Sequence, residues 1–177
     1  MTAENTMGPG DRAGDRADWE RRVVELWDSL DDDTDEAAFR AAMAGLVAEL
    51  PADDPVGHFE MASAYDSTGG EAEAAEHYRR ALDGGLGDVD PYRRSRTAVQ
   101  YASTLRNLGR VEEGIALLRA EPPGGELGDA VAAVLALSLT DAGREREAVV
   151  LLLHALSDHL PRYQRSMHRY ADALLAD

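Results

Sequence analysis

HFEMASAYDSTGGEAEAAEHYRRAL, residues 58–82, reads at helical period, stops at the pair Gly69-Gly70 and resumes at the same period beyond it. The segment is therefore a helix, a tight turn and a second helix folded back on the first. Two more stretches fall into step with it when Gly69, Gly109 and Gly143 are superimposed, at spacings of 40 and 34 residues. Small residues recur before the glycine as Ala62, Ala102 and Ala136. Large ones recur as Met61, Tyr101 and Leu135, and again as Tyr65, Leu105 and Leu139. After the glycine come Ala74, Gly114 and Ala148, then Tyr78, Leu118 and Leu152. Internal repetition of this length indicates stacked helical hairpins, with small residues where two helices cross closely and large ones filling the space between units.

The pattern resembles the tetratricopeptide repeat, whose unit is 34 residues long, over about 55–160. The runs YRRALDGGL, YASTLRNLGRVEEGIALL and LALSLTDAGREREAVVLLLHAL further resemble a small, free-standing bacterial three-repeat subfamily without an assigned activity. The resemblance implies an all-α, right-handed superhelix of paired antiparallel helices whose first helices line a concave groove. It also implies a protein that holds another protein or peptide. In the second unit Gly114 replaces the usual alanine and Glu121 stands where Ala81 and Ala155 sit, which predicts a shorter or looser second helix. Six extra residues within GGLGDVDPYRR lengthen the first inter-unit loop.

Outward from the repeats, Trp19, Val23, Leu26, Trp27 and Leu30 form one apolar stripe and Phe39, Met43, Leu46, Val47 and Leu50 another. They predict a degenerate leading helix pair across the acidic turn Asp31-Asp32-Asp33. Leu160, Tyr163, Met167, Tyr170 and Leu174 predict a closing helix, since the end units of a solenoid need caps. The expected organisation is a disordered leader, 1–17, and one helical-repeat domain, 18–177. Within it lie the helix pair at 18–50, repeats at 55–88, 91–122 and 127–160, and a capping helix at 161–176. Gly and Pro punctuation gives about nine helices, near 18–30, 34–50, 55–68, 71–83, 92–108, 111–120, 127–142, 145–159 and 161–175.

The net charge of −16 is unevenly spread: residues 1–90 hold 23 Asp and Glu against 7 Arg, and residues 91–177 hold 11 against 11. A chain this acidic repels phosphate, so neither nucleic acid nor an anionic membrane is expected as a partner. All 18 basic residues are arginine and there is no cysteine, which removes thiolate chemistry and suits a reducing, cytoplasmic setting. No apolar run approaches the roughly 20 residues of a membrane span, and the first 17 residues lack the apolar segment of a secretory signal.

The search for chemistry leads to no enzyme, cofactor or metal. His58 and Glu60, with Asp66 beyond, are the nearest approach to a ligand set, but neighbours two apart on a helix point about 200° from each other. His154 and His159 are five apart without the flanking pattern of a zinc helix, and the glycines of GGLG lack the lysine of a phosphate loop. In DSLDDDTDE, capping by Asp33 or Thr34 with Glu36 in the first turn is favoured over cation binding.

The second unit's first helix is more informative. Ala98, Tyr101, Ala102, Leu105 and Leu108 are expected on its packed side. Arg96, Gln100, Ser103 and Asn107 fall within about 60° of arc on the other side, with Val99 and Arg106 flanking. In the resembled fold this stripe faces the groove, joined by Phe59, Ser63 and Asp66 of unit one and by Ala133, Leu137 and Thr140 of unit three. Arginine and amide donors there suit an extended peptide or a carboxylate. The plainer alternative pairs the arginines with Glu60 or Asp66. The reading of function is a protein-binding module or scaffold, with a second copy of the chain (a homo-oligomer) among its candidate partners. The alternative is an acidic subunit masking a basic surface, with an unrecognised enzyme behind both.

Overall fold

The computed structural model describes residues 9–122 and 124–176. Among them every element is helical: α1 (Pro9–Asp28), α2 (Glu36–Val47), α3 (Pro55–Asp66), α4 (Glu71–Asp83), α5 (Leu86–Val89), α6 (Pro91–Asn107), α7 (Val111–Arg119), α8 (Gly128–Asp141), α9 (Glu145–Asp158) and α10 (Gln164–Ala173). Helices α2–α4 and α6–α9 start and stop within three residues of their expected ends. The first helix begins at Pro9 rather than 18, so it takes in residues 9–17 of the expected leader; residues 1–8 lie outside the described residues.

The tenth helix is α5, in the lengthened loop between units one and two. Gly85 turns the chain with φ of 80°, and the next residue, Leu86, is fully buried. An apolar plug thus shapes the extra residues into one helical turn. The second unit's α7 is the shortest repeat helix, nine residues against thirteen in α4 and fourteen in α9. Beyond its end, the nearly buried Glu121 carboxylate pairs with Arg94 at the start of α6. That ion pair ties the loop down where the other units carry alanine.

The three aligned glycines do the same work. Gly69, Gly109 and Gly143 have φ of 72°, 74° and 70°, a conformation that costs other L-residues about 1–2 kcal/mol. Behind them the same closure recurs, with the N–H of Gly70, Arg110 and Arg144 donating to the carbonyls of Tyr65, Leu105 and Leu139 at 2.8 Å in each case. Helix starts are equally explicit. Asp54 and Asp90 accept from first-turn amides, each followed by proline at the first helical position. In the acidic run the cap is Asp35, which accepts from Ala37 and Ala38, and neither Asp33 nor Thr34; the Thr34 hydroxyl turns back to Asp31 instead.

Packing follows the repeat. Ala62, Ala102 and Ala136 are 0%, 0% and 3% exposed, as crossings of small residues require. Met61, Tyr101, Leu135, Leu105 and Leu139 are buried around them. Two apolar clusters run through the stack, one from α1 to α6 and one from α6 to α9. Tyr78 packs against Tyr101 of the next unit with ring centroids 5.8 Å apart. Leu118 is buried likewise, whereas Leu152, the third member of that series, is 45% exposed. The described element that follows α9 is the single helix α10, which leaves Leu152 uncovered. On α6 the last expected packed residue, Leu108, is exposed where the helix ends.

The leading pair packs as a true first unit. Trp19, Val23, Phe39 and Met43 are buried, and the Trp19 indole N–H donates to the Leu46 carbonyl at 2.8 Å. The closing helix behaves differently: Ala171 is buried, but Tyr163, Tyr170 and Leu174 of its apolar stripe face outward. The expected cap leaves the stack apolar at its far end.

Candidate functional site

Helices α1, α3 and α6 come together along a cleft of about 380 Å³. It is lined by Val23, Val24 and Trp27 from α1, Glu60, Ser63 and Ser67 from α3, and Arg93, Arg96 and Gln100 from α6. The leading pair thus contributes its first helix to the same side of the stack as the repeats do. The Asp90 cap and Pro91 start α6 so that Arg93, in its first turn, reaches back across the two preceding units.

The floor of the cleft is an ion cluster. The Arg93 Nε–H donates to Glu60 Oε1 at 3.0 Å, and its other nitrogens donate to Asp90 Oδ2 at 2.8 Å and Glu20 Oε2 at 2.5 Å. Glu60, only 3% exposed, also accepts the Trp27 indole N–H at 2.9 Å. Burial alone would pull the Arg93 guanidinium toward losing its proton; the hydrogen bond to Glu20, the charge of Glu60 and the hydrogen bond to Asp90 outweigh it, so its pKa is raised. Asp90 is destabilised as an anion by burial, but the Arg93 amide and guanidinium hold its pKa below the usual value. Arg93 is consumed by structure.

Arg96 is not. Its guanidinium carbon lies 5.1 Å from the centroid of Phe59, the fully buried ring on which it stacks, and it pairs with no described carboxylate. Beside it, one end of the Gln100 amide is buried without a hydrogen-bond partner. The site therefore sets one uncommitted cation and the Gln100 side chain against the apolar surface of Val23, Val24 and Trp27. Val24 is 55% exposed on that wall.

Of the residues expected in the groove, Arg96, Gln100 and Ser63 line this cleft, and Phe59 lies beneath it. Asp66 is drawn into the packing: it accepts from Thr104 Oγ1 at 2.8 Å and from the Tyr78 hydroxyl at 3.3 Å, joining α3, α4 and α6. Burial raises its pKa against those two hydrogen bonds. Arg106 pairs with Asp141 of α8 at 2.5 Å, so neither it nor Arg96 takes Glu60 or Asp66 as a partner. Val99 packs into the second apolar cluster, Ser103 is half-buried and Asn107 is exposed. The unit-three stripe Ala133, Leu137 and Thr140 is exposed on α8.

Glu20, Trp27 and Arg93 escape sequence reasoning because their partners are 33 and 73 residues away. One signal pointed there: a tryptophan on a stripe at a helix pair's edge carries an N–H that must find an acceptor when buried. Four of the five histidines form two ring contacts, His58 with His77 and His154 with His168, through Nδ1 atoms 3.1 and 2.6 Å apart, and His159 lies 2.9 Å from Asp129. Among the described residues no group of three or more His, Asp or Glu is placed to hold a metal ion. No described helix is long and apolar enough to cross a membrane.

These hairpins, glycine closures and small-residue crossings define a helical-repeat scaffold. The family model described as tetratrico peptide repeat matches residues 55–174, about two thirds of the chain, and the chain belongs to that family. The family is in general a protein–protein interaction module. Neither curated proteins nor solved structures provide a match to the chain.

Proposed function

We propose that the chain is a binding module that holds an extended peptide in the cleft of α1, α3 and α6, with a carboxylate of the peptide on Arg96. The observation that carries this reading is the free guanidinium of Arg96, stacked on Phe59 while its neighbours Arg93, Arg94 and Arg106 are all paired with carboxylates. A stacked, preoriented arginine presents two parallel N–H donors to a carboxylate at little cost in side-chain freedom. Gln100 lines the cleft beside it, and Val24 and Trp27 offer surface to an apolar side chain. Further along the same side of the first helices, exposed Leu137 extends the apolar surface toward unit three.

The test is selection from a pool of synthetic peptides with free C-terminal or side-chain carboxylates, followed by fluorescence polarisation. Selected peptides are expected to lose most of their affinity for Arg96→Ala, to bind Arg106→Ala nearly as well as the unmodified protein, and to weaken as salt is raised. Peptides that bind Arg96→Ala undiminished, or that bind equally with every carboxylate amidated, would overturn the assignment.

A further inference from the structure

The two ends of the stack are complementary. At the C-terminal end, Leu152 and Leu156 of α9 and Tyr163, Tyr170 and Leu174 in and beside α10 are all exposed, Tyr163 to 75%. Leu160, Tyr163, Met167 and Tyr170 bound an open apolar cleft there of about 570 Å³. Exposed apolar surface of this kind on a folded chain marks an interaction site. Arg162, Arg165 and Arg169 are interleaved with it, lining the adjoining hollow. None of the three pairs with a described carboxylate, whereas Arg93, Arg94, Arg106 and Arg119 all do.

At the N-terminal end, α2 shows the reverse. Ala37, Ala41, Ala44, Gly45 and Ala48 fall along one exposed face, and a Cβ built on Gly45 would meet nothing within 4 Å. The acidic turn Asp31 to Asp33 and Glu36 stand at the start of that face. The free ends thus differ in the complementary sense: large and basic at one, small and acidic at the other.

We propose that copies of this chain associate head to tail, the α9–α10 end of one docking on the exposed α2 face of the next. A symmetric pairing of α10 with α10 of a second copy would instead bring the two sets of arginines together, and the nearby carboxylate of Asp172 is already engaged by His154 at 3.0 Å. A heterologous contact leaves a free head and a free tail on every open assembly, so growth continues past a dimer as concentration rises, to a ring or an open chain. This interface is separate from the peptide cleft and stands without it.

The experiment is sedimentation velocity on the full chain from low to high micromolar concentration, with Tyr170→Glu for the tail and Ala41→Glu for the head. Both positions are exposed, and circular dichroism melts confirm the fold; if either variant melts early, Arg165→Glu or Ala37→Glu takes its place. The unmodified chain is expected to grow past a dimer with concentration and to dissociate with added salt. Each variant alone should be monomeric. Their equimolar mixture should form a dimer and nothing larger, because one variant keeps an intact head and the other an intact tail. A chain that stays monomeric at every concentration overturns the proposal, as does a mixture that fails to pair. Self-association of Ala41→Glu at the level of the unmodified chain would replace it with symmetric pairing through α10.

Discussion

Replacing Ala102 by leucine tests the architecture at its tightest point. Ala102 is fully buried on α6, and the residue that faces it on α7 is Gly114. A Cβ built on Gly114 would stand 3.1 Å from the Ala102 carbonyl oxygen and 3.6 Å from the Ala102 Cβ. The helices thus meet with one methyl group between two backbones, and the three further carbons of leucine have no space to enter. Overpacking of this kind costs about 1–3 kcal/mol. For a chain of this size each kcal/mol moves the melting temperature by roughly 2–4 °C, so a fall of about 2–12 °C is expected. The assay is thermal unfolding followed by far-ultraviolet circular dichroism, with a urea titration to show that the slope is unchanged and the midpoint lowered.

Gly114→Ala is the control. It gains up to about 1 kcal/mol of helix propensity while pressing one carbon against the Ala102 carbonyl, so its net change should be much smaller than that of leucine. If Ala102→Leu melts with the unmodified protein, α6 and α7 do not cross where the glycine alignment puts them, and the repeat register fails with them.

Arg93→Ala should be costlier than any surface arginine change, about 3–5 kcal/mol, because it leaves Glu60 charged and buried with only the Trp27 N–H; a urea midpoint close to that of Arg96→Ala would refute the cluster's structural role. Stability should also fall as pH drops below about 6.5, the unfolded histidine value. The pKa values of His58 and His77 are lowered chiefly by burial, so in that window the unfolded chain takes up protons that the folded chain refuses, and the loss levels off below the folded values. Melting temperatures measured from pH 8 to 5 should show this fall, and His77→Gln should flatten it. Comparing the two isolates the pair from Asp66, whose raised carboxyl acts in the opposite direction. A profile that is flat or rises toward acid would contradict the burial of the pair.

The line between what was legible in the sequence and what was not follows the distance over which residues act. Glycines at positive φ and the alanine crossings act within one hairpin, so period and spacing reveal them. The cap at Asp35 was ambiguous for the opposite reason, since several adjacent acidic residues satisfy the same local rule and only the backbone path chooses among them. Leu152 was assigned to the core by equivalence with Tyr78 and Leu118, but that equivalence presumes a following unit. The expected cap at α10 rests on the opposite rule, that an end unit covers its apolar face, yet both positions leave apolar surface at the same end. In the cleft, Arg96 and Gln100 could be read from the wheel of a single helix. The fate of Arg93 depends on Glu20 and Glu60, which only the stacking of α1 and α3 brings within reach. The plainer alternative for Arg106 is a partner in the preceding unit, whereas it reaches Asp141 in the following one. A helix wheel gives the side of a helix on which an arginine stands; which neighbour neutralises it depends on the angle between units. For that reason the most exposed consequence of the repeat, a free arginine in the groove, emerges only after every other arginine on that helix has found its carboxylate.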